Sequence, residues 1–208
     1  MLATHTRRGA LALLASLPAA EARSSPRRSG DALATAARRQ VGVTTGYDSA
    51  YRQIAYPGGD VPRSTGVCAD VVIRAVRDAW GLDLQRLVHE DMRRAFALYP
   101  HRWGLTAPDP NIDHRRVPNL ETYWMRQGSR LWLAGSRSWG FDFHGTLVPG
   151  DILTWRSFLK GGPHVAIVVE GGRWPRILQN YGWGAREDLL ITEWLDGASA
   201  HFRWLPFA

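Results

Sequence analysis

Cys68 is the single cysteine among the 208 residues of the chain. It follows shortly after Gly66, where a glycine-rich loop gives way to the helical pattern VCADVVIRAVRDAWG. Backbone N–H groups and the helix dipole favour a thiolate at the first turn of a helix, so this position predicts a nucleophile with a lowered pKa. Asp70 in the same turn opposes that effect, which calls for an imidazolium partner. Cysteine is also often fully buried, so a packing role is the alternative.

Two residues further along the chain suit the other roles of a thiol-dependent site. His164 opens the apolar strand pattern HVAIVVE directly after a Gly-Gly-Pro turn, and Asn180 interrupts the apolar stretch RILQNYG. Nucleophilic cysteine chemistry requires a base within reach of the sulfur and a polar group that orients the base. We therefore expect Cys68, His164 and Asn180 to form one site. His114 is the alternative base, and a role in the turn is the alternative for Asn180.

The most polar segment of the chain is PDPNIDHRRV, residues 108–117. Its acids alternate from Asp109 as in a calcium loop, but His114 and Leu120 replace the glycine and glutamate that an EF-hand requires. We therefore reject a calcium site. The histidines also match no ligand template, so the sequence predicts no metal and no cofactor.

Within this segment, Asp113, His114 and Arg115 are candidates for contacts with a substrate. An arginine fork suits a substrate carboxylate. The alternative is structural, with Asp113 anchoring Arg115 or Arg116 inside the fold.

The elements that must position these residues follow a clear order. Helical patterns come first, at residues 31–42, around the cysteine, and from Leu84 to Leu98 after a predicted cap at Asp83. Residues 99–148 are rich in turn-forming residues, which predicts a loop region with a short helix at about 120–126 and a short strand in SRLWLAG. Period-two strands then follow in DILTWRS, HVAIVVE, RILQNYG and HFRWLP. Helices followed by antiparallel strands predict an α+β fold.

The N-terminal residues have the order of an export signal. An arginine pair is followed by ALALLASLPAA and a small-residue site, which predicts a signal peptide over residues 1–22, of Sec or twin-arginine type. Residues 23–30 form a polar linker, and the folded domain spans 31–208. We expect a periplasmic or secreted protein with no transmembrane segment after cleavage.

The formal net charge of +7 suits an anionic surface such as a cell envelope. Basic runs after Arg28 are no longer than two residues, so nucleic acid is not an expected partner.

Several of these motifs together resemble those of two related groups of proteins. Tyr56, Gly58-Gly59, Cys68, PGDIL at 149–153 and HVAIV at 164–168 resemble the NlpC/P60 branch of the papain-like superfamily, which comprises bacterial cell-wall amidases. The set GGDVP, GVCADVVIRA, DPNIDHRRVPN, PGDIL, HVAIVV and QNYGWGAREDLL is more closely similar to the bacterial domain-of-unknown-function family 1287, over about residues 32–206.

This resemblance implies a papain-like fold, with N-terminal helices, including the cysteine helix, packed on a small antiparallel sheet. It implies Cys68 as nucleophile, His164 as general base and then acid, and Asn180 as the orienting group. The Cys68 N–H and the Tyr56 hydroxyl would bind the oxyanion. The chain departs from the NlpC/P60 pattern at Val67, Ala69 and Ala166, and by the insertion after the cysteine helix, which affects the substrate more than the nucleophile.

The sequence therefore predicts an exported cysteine-dependent amide hydrolase. Its expected substrate and partner is peptidoglycan, cut within the stem peptide or between sugar and peptide. A non-catalytic domain that binds envelope glycan through loop tryptophans such as Trp103 and Trp183 is one alternative, and a thiol acyltransferase is another.

Overall fold

A computed structural model describes residues 28–135, 138–156, 162–193 and 196–206 of the chain. These residues form four α-helices and one six-stranded antiparallel sheet, which confirms the predicted α+β class. The predicted signal peptide and most of the predicted linker lie outside the described residues. Within the described residues, no helix combines the length and apolar character that crossing a membrane requires.

The helices begin and end close to the predicted signals. They are α1 (Gly30–Arg38), α2 (Cys68–Trp80), α3 (Leu84–Ala95) and α4 (Val117–Arg126). Ser29 caps α1 by accepting a hydrogen bond from the Ala32 N–H at 3.2 Å, so this helix begins earlier than predicted and also ends before Gly42. The Asp83 cap is confirmed, because its carboxylate accepts from the Gln85 N–H at 3.2 Å.

One-turn 3-10 helices lie at Phe96–Leu98, Asp113–Arg115 and Leu190–Glu193. The first of them continues α3 to the predicted end at Leu98.

Six strands form the sheet in the order β1-β6-β2-β3-β4-β5. They are β1 (Arg130–Leu133), β2 (Ile152–Arg156), β3 (His164–Glu170), β4 (Arg176–Asn180), β5 (Ala185–Leu189) and β6 (Gly197–Phe202). The last strand starts earlier than the predicted HFRWLP and ends at Phe202. The edge strand β5 was not predicted, since its sequence AREDL is charged and lacks apolar alternation.

Successive side chains of each strand point to opposite faces of the sheet, so the hydrophobic core forms two layers. On one face of β3, Val165 and Ile167 pack with α1 and α2, in the cluster that also contains Cys68. On the other face, Ala166 and Val168 pack with Trp155 of β2 in a smaller cluster. His164 pairs with Trp155 across the β2–β3 ladder, so its side chain belongs to this second face.

The Pro-Gly-Asp motif joins α1 to the sheet. Gly150 has a φ of +89°, and a Cβ there would collide with the backbone of Gly30 at the start of α1. Asp151 is fully buried and accepts hydrogen bonds from the Val148 N–H at 2.9 Å and from Arg203 Nε at 2.8 Å. The motif therefore has a structural explanation that needs no catalytic role.

Candidate functional site

The Cys68 thiol is covered at the first residue of α2. The residue is 5% exposed, and burial raises the pKa of the thiol to about 11. Peptide N–H groups of Val165, Ala69 and Cys68 act in the opposite direction, whereas the Asp70 carboxylate adds to the increase. The predicted lowering of this pKa is therefore wrong for the resting site. The helix N-terminus does favour the thiolate, but desolvation has the larger effect.

Cys68 lies against the start of β3, in the cluster on the face of the sheet that packs on α1 and α2. Strand N–H groups lie in the plane of the sheet, and the Val165 N–H that acts on the thiol belongs to the second residue of β3. Asn180 at the end of β4 donates to the Gly66 carbonyl at 2.9 Å, just before Cys68. The start of α2 is thus held by the beginning of β3, through the Val165 N–H, and by the end of β4, through Asn180.

The His164 ring is oriented by Gln179. The Gln179 amide nitrogen donates to Glu193 Oε1 at 2.8 Å and to Asp188 Oδ2 at 3.1 Å. Its Oε1 therefore faces the imidazole, 2.7 Å from Nε2. Because an amide oxygen only accepts, His164 Nε2 carries a hydrogen, and Nδ1 keeps the lone pair in the neutral ring. The Tyr181 ring covers the imidazole, with centroids 4.1 Å apart.

Asn180 has other partners. Its Nδ2 donates to the carbonyls of Gly46 and Gly66 at 3.0 and 2.9 Å, and its Oδ1 accepts from the N–H groups of Gly182 and Gly184 at 3.2 and 3.1 Å. Consecutive strand residues face opposite sides, so Gln179 shares the face of His164 and Asn180 does not. The orienting contact predicted for Asn180 is made by Gln179, and Asn180 instead joins the connection between α1 and α2 to the turn between β4 and β5.

Tyr47, and not Tyr56, lies in the surroundings of the thiol. Burial raises the pKa of the Tyr47 phenol to about 12, and the charges of Cys68 and Asp70 add to the increase. The Tyr56 ring instead packs edge-on against His89 of α3, with centroids 5.0 Å apart. The distance along the chain between Tyr47 and Cys68 does not predict that the two residues are close. Only the folded path of the loop brings Tyr47 to the cysteine helix.

A pocket of about 330 Å³ opens beside Cys68. Its polar and aromatic wall includes Tyr47, Ser49, Arg102, Trp103, Arg115 and Arg116. Pro163, directly before His164, completes the wall on the side of β3. We refer to this space as the Cys68 pocket.

Arg115 is held in the fold by an acid of the cysteine helix. It forms two hydrogen bonds of 2.9 Å with the Asp70 carboxylate, and both side chains are almost fully buried. The Asp48 carbonyl also accepts from Arg115 Nη2 at 3.1 Å. The predicted substrate residue Arg115 thus connects α2 to the loop that carries Tyr47.

The other two residues predicted from this segment also have internal environments. Asp113 accepts from Arg116 Nη1 at 2.9 Å and from the Asp109 N–H at 2.6 Å. His114 is buried, and burial together with the charge of Arg115 lowers its pKa to about 4. Neither His114 nor His164 is among the described lining residues of the Cys68 pocket, but Pro163, directly before His164, lines it, and the Val165 N–H, directly after His164, acts on the thiol.

Within the described residues, no group of three or more His, Cys, Asp or Glu side chains is arranged to hold a metal ion.

The described residues define an α+β domain in which a helix presents a lone cysteine to the ends of two antiparallel strands. The family described as Domain of unknown function (DUF1287) matches residues 34–204, and the chain belongs to this family. The chain is also similar to a protein named "Uncharacterized protein YijF" from Escherichia coli (strain K12). The two are 46% identical over 166 residues, which cover 78% of this chain and 77% of the relative.

Proposed function

We propose that this chain is a papain-like, cysteine-dependent amide hydrolase with Cys68 as nucleophile and His164 as general base and acid. The observation that carries the proposal is that His164, whose imidazole Nε2 is held by Gln179, directly precedes Val165, the residue whose N–H acts on the thiol. Nucleophile, base and orienting group are the three components that thiol catalysis needs.

Proton transfer accompanies attack in this mechanism. Because the thiol pKa is about 11, the resting sulfur is protonated at neutral pH. His164 Nδ1 removes the thiol proton as sulfur attacks the amide carbon, and the imidazolium then protonates the leaving amine as the C–N bond breaks. Water, deprotonated by the same imidazole, attacks the resulting thioester. The C–S bond breaks, the carboxylic acid leaves, and the thiol regains its proton.

Two donors suit the oxyanion of the tetrahedral intermediate. The Cys68 N–H belongs to the first turn of α2, where the Val67 side chain supplies no capping acceptor. We assign the second donor to the Tyr47 hydroxyl in place of Tyr56, because Tyr47 lines the Cys68 pocket. A single lost oxyanion donor costs about a hundredfold to a thousandfold in rate.

The proposed substrate is peptidoglycan, in the periplasm or outside the cell. The N-terminal export pattern and the net charge of +7 support contact with an anionic envelope. Trp103 in the Cys68 pocket and Trp183 in the turn after β4 both expose indole surface that can stack on sugar rings.

The test is hydrolysis of purified peptidoglycan fragments in water labelled with oxygen-18. We expect one new amine and one labelled carboxylate for each amide cut, with the rate reduced at least about a thousandfold by Cys68→Ala or His164→Gln. The exposed His101 serves as a matched control, and His101→Gln is expected to retain the rate. Equal product from wild-type protein and Cys68→Ala would exclude Cys68 as nucleophile.

A second candidate function is binding of envelope glycan without catalysis. The burial and neutral state of the Cys68 thiol favour this alternative. It predicts that the protein sediments with cell walls, that Cys68→Ala sediments equally, and that Trp183→Ala does not. It also predicts that wild-type protein releases no amine from the fragments, which separates the two functions.

A further inference from the structure

The Cys68 pocket has an unusual balance of charge. Three of its lining residues are arginines, at positions 102, 115 and 116, and none of its described lining residues is an aspartate or glutamate. Tyr47 and Ser49 add hydroxyl groups to the same wall. The wall therefore offers hydrogen-bond donors and positive charge, which favours an anionic ligand.

The three arginines differ in what they can offer to a ligand. Arg115 is already neutralised by two hydrogen bonds with buried Asp70. Arg116 forms an ion pair with buried Asp113 through Nη1, which compensates part of its charge, and it lies over the Trp103 ring at 4.1 Å from its centroid, so its guanidinium is held in place. Arg102 is exposed and forms no ion pair with any acid in the described part of the chain.

We propose that the Cys68 pocket binds a carboxylate of the substrate through Arg102 and the preset fork of Arg116. A planar guanidinium fork matches a carboxylate geometrically, and stacking on Trp103 limits the freedom that binding would remove. A pocket of about 330 Å³ suits a group the size of one or two amino acids. The ligand in this proposal is the substrate of the proposed hydrolase, so the proposal rests on that function. It adds that the amide bond that is cut lies next to a free carboxylate of the substrate.

The experiment uses the single cysteine as a reporter of pocket occupancy. Because Cys68 lines the pocket, a bound ligand slows its alkylation by iodoacetamide, and since the thiolate of this covered residue is the form that reacts, the slow alkylation is followed by mass spectrometry at mildly alkaline pH, without any turnover. The two probes are N-acetyl-alanyl-glutamate, which carries two carboxylates, and the similarly sized N-acetyl-alanyl-glutaminamide, which carries none.

We expect the acidic probe to protect Cys68 at a concentration about tenfold lower than the neutral probe, and the difference to shrink at high salt. Arg102→Gln should reduce the difference to about twofold or less. The exposed Arg173 provides a matched control in another part of the surface, and Arg173→Gln should keep the full difference. Thermal unfolding of both variants checks that they fold.

Equal protection by the two probes, protection by neither, or an unchanged preference in Arg102→Gln would overturn the carboxylate site. The hydrolysis test of Cys68→Ala is independent of this result. If hydrolysis does not depend on Cys68 but the acidic probe still protects it, the proposed function fails and the anion site stands. If hydrolysis depends on Cys68 but the probes protect equally, the hydrolase stands and the carboxylate site fails.

Discussion

Gln179 and Asn180 are neighbours in the chain and act on opposite faces of the sheet. Gln179 contacts the His164 imidazole and is itself held by two carboxylates. Asn180 makes four hydrogen bonds with loop backbone and is fully buried. One side chain therefore positions the proposed base, and the other holds the surrounding loops together.

Truncating these two residues should have different consequences. Gln179→Ala is expected to lower kcat about tenfold to a hundredfold and to shift the pH profile of kcat/KM, since the imidazole loses its orienting acceptor. Asn180→Ala should lower the free energy of unfolding by about 3 kcal/mol or more, because it leaves buried carbonyls and N–H groups unpaired. Urea unfolding measures the loss of stability. A pH–rate profile, with rates divided by the concentration of folded protein, measures the loss of activity. A larger loss of kcat in folded Asn180→Ala than in Gln179→Ala would contradict the assignment.

The two tyrosines provide a second matched pair. Tyr47→Phe removes the proposed oxyanion hydroxyl and should lower kcat about a hundredfold to a thousandfold with little change in KM. Tyr56→Phe removes a hydroxyl on a ring that packs against His89, and it should leave turnover unchanged. Steady-state kinetics on one peptidoglycan fragment tests both variants. Loss of turnover in Tyr56→Phe alone would return the role to Tyr56.

Residue types alone were enough to select Cys68 and His164 as candidates. A lone cysteine at a helix start and a histidine at a strand start are visible in the sequence. The choice of Gln179 over Asn180 depends on cross-strand register, and the choice of Tyr47 over Tyr56 depends on the path of a loop. Both are properties of the folded chain that spacing does not encode.

At the scale of elements, one buried ion pair connects the cysteine helix to the segment before α4. Asp70 in the first turn of α2 holds Arg115, which also binds the carbonyl of Asp48. The pair therefore sets the position of the Tyr47 loop relative to the thiol.

Breaking this ion pair should be costly. Arg115→Ala leaves the Asp70 carboxylate buried without its cation, and we expect the free energy of unfolding to fall by about 3–5 kcal/mol. The exposed pair Arg94–Glu90, 3.9 Å apart within α3, is the control, and Arg94→Ala should cost less than about 1 kcal/mol. Urea denaturation measures both values. Equal losses in the two variants would mean that the buried pair has no special role.

The elements themselves were predicted unevenly. Helix α3 begins after a clear cap at Asp83, α2 ends at Gly81, and both helices have apolar residues at helical spacing, so their positions follow from the sequence. Strand β6 begins with the small residues of GASA, and β5 is charged, so neither has the alternation that marks a strand. Pairing with neighbours in the sheet, rather than local pattern, defines these two strands.

For the whole molecule, acid stability should depend on a histidine outside the proposed site. His114 has its pKa lowered from 6.5 to about 4, mainly by burial. The unfolded chain therefore binds a proton more readily, and the stability that neutral His114 contributes is complete above about pH 6.5 and is lost as the pH falls toward about 4.

We expect the free energy of unfolding to fall by up to about 3 kcal/mol over this interval. In His114→Gln the fall should be much smaller, whereas the exposed control His101→Gln should behave like the wild-type protein. Urea titrations across the interval measure the change. A pH dependence that His114→Gln leaves intact would assign it to other groups.

The covered thiol also bears on how the protein tolerates oxidants. Peroxides and disulfide compounds react with thiolates, and Cys68 is both protonated and shielded at rest. The chain has no second cysteine, so no internal disulfide can form. The purified protein should therefore keep its sulfur reduced in air without added reductant and remain free of disulfide-linked dimers.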